Sequence, residues 1–464
     1  MVASFLYILY FLPLLWLIAR SRLFRLNGIP WHWLVVVFMA RVACGELSWL
    51  IFTYSPWFAG SSDAFRYFSD GVVLRGSLPE HPGSFISLMT GAGDSSMATG
   101  EYIAHMVSWN RSYVEGIWND NRTLVRLNAL FCFLSGGNYH IHLLFGNILS
   151  LSGLCGIYRL TSRSLEGYRL RILFFVVFLI PSAVFWGSIL SKESLAIFGF
   201  GMLAQGMSLA GKRNRTAAMI ISTMAGILLM TQVKPYFLLL IFPLSVAWFI
   251  NAFTKKPAGI RTYLFITGIC LLVMLVLQLF VPAAEPGSWL LQKQQNFYHM
   301  MKDNSAVNPL FMLIRSESLW VLLLKSPLAF FHSLFAPFFY PFLNIYTAAA
   351  ALENLVLWLL MVYLLFRARS PILFDNTLIF CILIVVFDFI VIGWISPSTG
   401  AIQRYRILSL PLLFAVLIHI SNPGSRFASG IRKTVFRKPK EAVDQSRLEK
   451  CGILFRFASL MIIH

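Results

Sequence analysis

The sequence predicts an all-α, polytopic membrane protein, and three observations predict it. Of 464 residues, 58% are hydrophobic and only 12% are charged. That is too little charge to cover a soluble protein of this length. Apolar runs of about 17–25 residues, long enough to cross a ~30 Å hydrocarbon core, recur along the chain. The net charge of +19 is gathered in short loops between those runs: Arg20, Arg22 and Arg25; Arg159, Arg163, Arg169 and Arg171; Lys212, Arg213 and Arg215; Lys255, Lys256 and Arg261; Arg367 and Arg369. This is the positive-inside pattern. It accounts for the charge without nucleic acid, and the expected partner is a lipid bilayer.

The elements follow in order. The run ending at Arg20 has basic residues after it and none before, unlike a cleaved signal peptide, so it is read as a helix with its N-terminus outside. The run 31–54 returns outward into a long polar segment, 55–127, whose slightly acidic balance suits the outer side. Runs at 139–159, 170–187, 193–211, 216–233, 236–253 and 262–282 then alternate in direction. A second outer loop spans 283–345; its apolar part, 318–345, is broken by Lys325, Pro327, Pro337 and Pro341 and reads as re-entrant or interfacial. Runs at 347–366, 372–395 and 405–421 complete about eleven crossings. The prediction is one membrane domain, 1–421, and a basic cytoplasmic tail, 422–464, able to touch anionic lipid.

Six scattered cysteines show no ligand-like spacing, so neither a disulfide framework nor a zinc site is expected. The sequons at Asn110 and Asn121 are short enough to arise by chance. There is no P-loop, no GxGxxG after a strand and no HExxH, so no nucleotide or other cofactor is expected.

Once the loop charges are assigned, the informative residues are those left facing outward or lying at membrane depth, where an ionisable group is costly. In "SSDAFRYFSDG", Asp63, Tyr67 and Asp70 fall at i, i+4 and i+7 and share one helical face. Asp63 and Asp70 are the candidate catalytic carboxylates: a carboxylate at the membrane boundary can take a proton from a hydroxyl, or Asp63 simply caps that helix. In "PSAVFWGSILSKESLAIFG", Lys192 and Glu193 fall at the outer tip of a hairpin. Lys192 can bind phosphate and Glu193 can orient it, or both are a wet tip with Glu193 favoured by the helix dipole. Lys234 in "QVKPYF" occupies another outer turn, with Pro235 opening the next helix. Arg404 and Arg406 in "GAIQRYRILSLP" break the positive-inside trend, and guanidinium forks suit phosphate. Glu353, His81, and the membrane-depth Arg41, Glu46 and Asp388 complete the set.

Several of these stretches together resemble the GT-C superfamily of integral-membrane glycosyltransferases. "DAFRYF" at 63–68 resembles its first-loop acidic motif. "PSAVFWGSILSKESL" at 181–195, "LFAPFFYPFLN" at 334–344, "ALENLVLW" at 351–358 and "RYRILSLPLL" at 404–413 are similar to further family segments. The resemblance implies a transferase that takes a sugar from a polyprenyl-phosphate or polyprenyl-diphosphate carrier to a glycan or lipid-linked acceptor, outside the cytoplasm of a bacterial cell. It implies that Asp63 activates the acceptor hydroxyl and that Lys192, Lys234, Arg404 and Arg406 receive the leaving phosphate. The first loop carries a lone Asp63 followed by Ala64 rather than an acidic pair, so no metal ligands are assigned and metal dependence stays open.

Two other functions fit the same charges. A polymerase of O-antigen or exopolysaccharide would rely chiefly on Arg404 and Arg406. A flippase or transporter would move lipid-linked sugar without bond chemistry, and would be expected to carry paired broken helices or inverted repeats, neither of which is read from the sequence.

Overall fold

Long apolar stretches leave the backbone few ways to satisfy its N–H and C=O groups away from water, and the local one is helix. The computed structural model describes residues 2–56, 62–91, 97–110, 120–254, 259–280, 286–302, 308–337, 345–368 and 375–421. Among them the only β pairings are two isolated bridges, Leu26 with Ile29 and Ala368 with Ser421. The basic tail, Lys255, Lys256 and Arg369 lie outside the described residues.

The chain is an all-α, multi-pass membrane protein. α1 (Val2–Arg20) and α2 (Trp31–Tyr54) lead into four shorter, more polar helices, α3 (Asp63–Glu80), α4 (Pro82–Thr90), α5 (Met97–Ala104) and α6 (Asp120–Ser135). Then come α7 (Tyr139–Thr161), α8 (Tyr168–Leu179), α9 (Pro181–Gly187), α10 (Lys192–Leu209), α11 (Thr216–Val233), α12 (Pro235–Thr254) and α13 (Ile260–Phe280). The second polar loop folds into α14 (Pro286–Lys302), α15 (Pro309–Ile314), α16 (Leu319–Leu324) and α17 (Ser326–Phe335). At 6 and 10 residues, α16 and α17 are too short to cross, as the interfacial reading of this stretch expects. α18 (Ile345–Phe366), α19 (Asn376–Ile395), α20 (Thr399–Arg406) and α21 (Leu410–Ile420) follow.

Among the described residues, seven helices are long and apolar enough to cross a membrane, or nine segments if two bent pairs each count as one. The bent pairs correct the sequence reading, which expected no paired broken helices. α8 turns by 46° into α9, and α20 by 60° into α21. Pro181 opens α9 and Pro411 lies in the first turn of α21. A Pro at either position lacks an N–H to continue the preceding helix.

α10 is less apolar than the spanning helices. It begins Lys192-Glu193 and carries Ser, Gln and Gly, yet it is buried almost end to end. Glycines let α7 and α10 close on each other until backbones touch: a Cβ on Gly201 would collide with the Gly153 carbonyl, and one on Gly156 with the Gly201 carbonyl. Small residues at such crossings are how helices associate in lipid. Gly201→Val is therefore expected to destabilise the protein by about 2–3 kcal/mol, the upper part of the overpacking range. Thermal unfolding in detergent, followed by size exclusion, measures it; an unchanged midpoint would refute the contact.

The backbone between α9 and α10 is non-helical inside the bundle, which requires partners for its carbonyls. Arg41 Nη2 donates to the Gly187 carbonyl at 2.6 Å and to Ser150 Oγ at 2.6 Å, and Asn147 Nδ2 donates to the Ser188 carbonyl at 2.8 Å. Arg41 thus ties off a broken helix. Glu46 reaches other helices too, meeting His140 Nδ1 at 2.7 Å and accepting from the Tyr7 hydroxyl at 3.4 Å.

Two of the loop arginines, Arg159 and Arg163, lie at the end of the bundle where α10 finishes. Arg159 donates to Gln205 Oε1 at 2.8 Å and to the Leu23 carbonyl, and Arg163 donates to the Ser208 carbonyl at 2.8 Å. They bind the last carbonyls of α10 and the turn after α1, where cations suit helix C-termini.

Candidate functional site

At the other end, helix termini from across the sequence converge. Asp63 is the first residue of α3, and Ser62, not Asp63, is the N-cap. Its carboxylate meets Arg404 Nη1 of α20 at 3.0 Å. Arg404 Nε stands 2.8 Å from Glu193 Oε1, and Lys234 Nζ stands 3.8 Å from the same oxygen. Lys192, next to Glu193 at the start of α10, meets Asp120 Oδ2 at 2.7 Å. Four of the nine residues singled out in the sequence, Asp63, Arg404, Glu193 and Lys234, are linked in one chain of ion pairs, and a fifth, Lys192, begins α10 beside Glu193 and makes its own pair with Asp120.

Exposure divides the cluster into layers. The Asp63 side chain is 41% exposed and that of Arg404 23%, whereas Glu193 is 1% exposed and Lys234 3%. Asp63 is thus the carboxylate open at the surface, and Glu193 is the buried counter-charge for two cations. This corrects the hairpin-tip reading: Lys192 and Glu193 are enclosed by neighbouring helices. Glu193 does not cap α10; the Ser191 N–H donates to Ser194 Oγ at 3.0 Å there.

Aromatic rings floor the charges. Arg404 lies 5.5 Å from the Trp186 ring centroid, Lys192 5.6 Å from Tyr67 and Lys234 4.9 Å from Tyr405. Lys293 of α14 stands 4.1 Å over Tyr236, and Phe297 lies 6.2 Å from Tyr405. α14 is pinned by Gln294, whose Nε2 donates to the Trp394 carbonyl at 2.6 Å. Each ring offers its negative face to a cation. Among the described residues no group of His, Cys, Asp and Glu could hold a metal ion.

The other four selected residues lie elsewhere. Asp70 is buried and accepts from the Val107 N–H at 2.9 Å and the Ser108 N–H at 2.7 Å. Burial raises its pKa above the ordinary carboxylate value, against the pull of those donors and of Arg66. Arg406, two residues beyond Arg404, points away from the cluster toward the Ser333 and Ala336 carbonyls at 3.5 and 3.4 Å. Its acidic neighbour is Glu353. His81 is exposed between α3 and α4, its ring edge-on to Tyr102 at 6.1 Å. Buried Asp388 accepts from the Ser409 hydroxyl at the α20–α21 break, and Asn121 is 7% exposed inside a hydrogen-bond network, which removes it as a glycosylation acceptor.

Sequence reasoning missed Asp120, Tyr236, Lys293 and Tyr405 as members of this group. Asp120 reads as one of seven acidic loop residues; its only local mark is that it opens a helix. Tyr405 stands beside Arg404 and Tyr236 two residues after Lys234, so adjacency to selected cations was the available signal. Compared with known protein families, with curated proteins and with solved structures, this chain matches none.

Proposed function

We propose that this protein is a GT-C-like membrane glycosyltransferase of the bacterial cytoplasmic membrane. In this reading α1 and α10 cross as well as the nine segments above, giving eleven crossings, with the N-terminus and the Asp63 cluster outside and the tail in the cytoplasm. One membrane domain, 1–421, does the chemistry. The observation that supports the reading best is the surface carboxylate Asp63 held against Arg404, whose other side leans on buried Glu193.

The donor is a sugar on a polyprenyl phosphate or diphosphate, and the acceptor is a hydroxyl of a growing surface glycan. Arg404 leaves Asp63 for the donor phosphate, a better partner for its fork. Freed, Asp63 takes the acceptor proton while the acceptor oxygen attacks the anomeric carbon in line. The bond from that carbon to the phosphate oxygen breaks, and the lipid phosphate leaves with the bonding pair. Arg404 and Lys192 stabilise its growing charge. Asp63 then passes its proton to water or to the departing phosphate.

A second reading has its own support. The bent pairs meet at the cluster, since Arg404 of α20 packs on Trp186 of α9. Broken helices around a charged site are a transporter device, so a flippase for lipid-linked sugar is the alternative.

One assay separates the two. The full chain, reconstituted in vesicles, is given a panel of radiolabelled polyprenyl-phosphate hexoses together with a lipid-linked oligosaccharide acceptor. Glycosyl transfer predicts release of polyprenyl phosphate, and Arg404→Lys is expected to slow that release by roughly 10²–10³ through loss of the fork. Leaflet exchange of intact donor with no bond cleavage would overturn the transferase in favour of the flippase.

A further inference from the structure

Lys192 and Glu193 are adjacent, so their side chains leave α10 about 100° apart. Glu193 goes to Lys234 and Arg404; Lys192 goes the other way, to Asp120 and the face of Tyr67. Tyr67 is one helical turn from Asp63 on α3, a spacing that makes the two neighbours on one face. Lys192 therefore lies over a ring that sits one turn along α3 from Asp63.

What fixes Lys192 comes from the polar helices. Asp120 reaches it from the first turn of α6. The next residue, Asn121, accepts from the Tyr67 hydroxyl at 2.9 Å through Oδ1, and its Nδ2 donates to the Ser108 carbonyl at 3.0 Å. Ser108 is in turn held by Asp70 through its backbone N–H. Asp70, Ser108 and Asn121 thus form a brace, and two groups beside the Lys192 ammonium are tied to Asn121, Tyr67 by its hydrogen bond and Asp120 as the preceding residue.

We propose that Asp120 is a positioning residue that aims Lys192 at the donor phosphate, and that Asp70 is not a catalytic carboxylate but the far anchor of the same brace. The aim matters because an ammonium is a point charge on a flexible stem, with no fork to orient it. This rests on the transferase reading for its consequence, and on geometry alone for the placement of Lys192.

The test has two arms. In the first, the intact protein in detergent is treated with an amine-methylating reagent, and Lys192 modification is followed by mass spectrometry. Lys192 is 9% exposed. Its modification rate is expected to rise several-fold in Asp120→Ala and in Asp70→Asn, and to stay near the original value in Asp120→Glu. Unchanged rates in both variants overturn the proposal. This arm needs no turnover, so a protein that transfers no sugar would refute the transferase while leaving the placement tested. The second arm is a double-mutant cycle on polyprenyl-phosphate release. Asp120→Ala and Lys192→Gln each lower kcat/KM by roughly 10–100-fold, and the double variant is no slower than Lys192→Gln alone. Multiplied losses overturn the proposal, because a merely structural Asp120 would act whether or not Lys192 is present.

Discussion

Asp63→Asn is expected to lower turnover with a polyprenyl-phosphate sugar by about 10²–10⁴, the contribution of a positioned general base. The amide keeps the size of the side chain and can still accept one hydrogen bond from Arg404, so the cluster should hold together. It cannot take a proton. Loss should therefore fall on kcat, with donor affinity kept within a few-fold, and Asp63→Glu should recover part of the rate. Single-turnover measurements with saturating donor check this. A variant with the native rate would remove Asp63 from the chemistry and with it the proposed mechanism.

The largest stability effect should come from Glu193→Gln. Glu193 is the buried partner of Lys234 at 3.8 Å and of Arg404 at 2.8 Å. Removing its charge leaves two cations at a buried site facing each other's repulsion. Breaking a buried pair in this way costs about 3–5 kcal/mol. A second substitution, Lys234→Met, removes one of the stranded charges and should recover a good part of the loss, since coupled neighbours are not additive. Thermal unfolding of the three variants in one detergent measures both steps. If Glu193→Gln unfolds at the native temperature, the buried layer carries no net electrostatic load.

Much of the fold was legible because lipid imposes a simple rule on long apolar runs. The expected runs 31–54 and 216–233 coincide with α2 and α11, and 236–253 differs from α12 by one residue at either end. Convergence of Asp63, Lys192, Glu193, Lys234 and Arg404 was legible for a related reason. The expected alternation of crossings puts their loops on one side of the bundle. Depth within the site was not legible. Position alone made Lys192-Glu193 a wet tip, whereas α3, α6 and α20 bring Tyr67, Asp120 and Arg404 against it, and no local pattern encodes who the neighbours are. Pro181 marks the bend at Ile180, but the burial of the turn that follows depends on Arg41, whose bond to the Gly187 carbonyl joins residues 146 apart in the chain. Arg404 and Arg406 share an i, i+2 spacing that sends them apart on a helix, so pairing them as joint phosphate ligands assumed a loop where α20 forms.

The polar start and glycine-rich length of α10 have a consequence for how the protein is made. A segment that opens with two charges and carries so little bulk partitions poorly into lipid when alone. It depends on α7, already threaded, and on α11, still to be synthesised, to shield it. Ribosome-bound chains that stop before Thr216 should thus leave this segment loosely held at the translocation channel, extractable by alkali, and chains extended past Val233 should lock it in place.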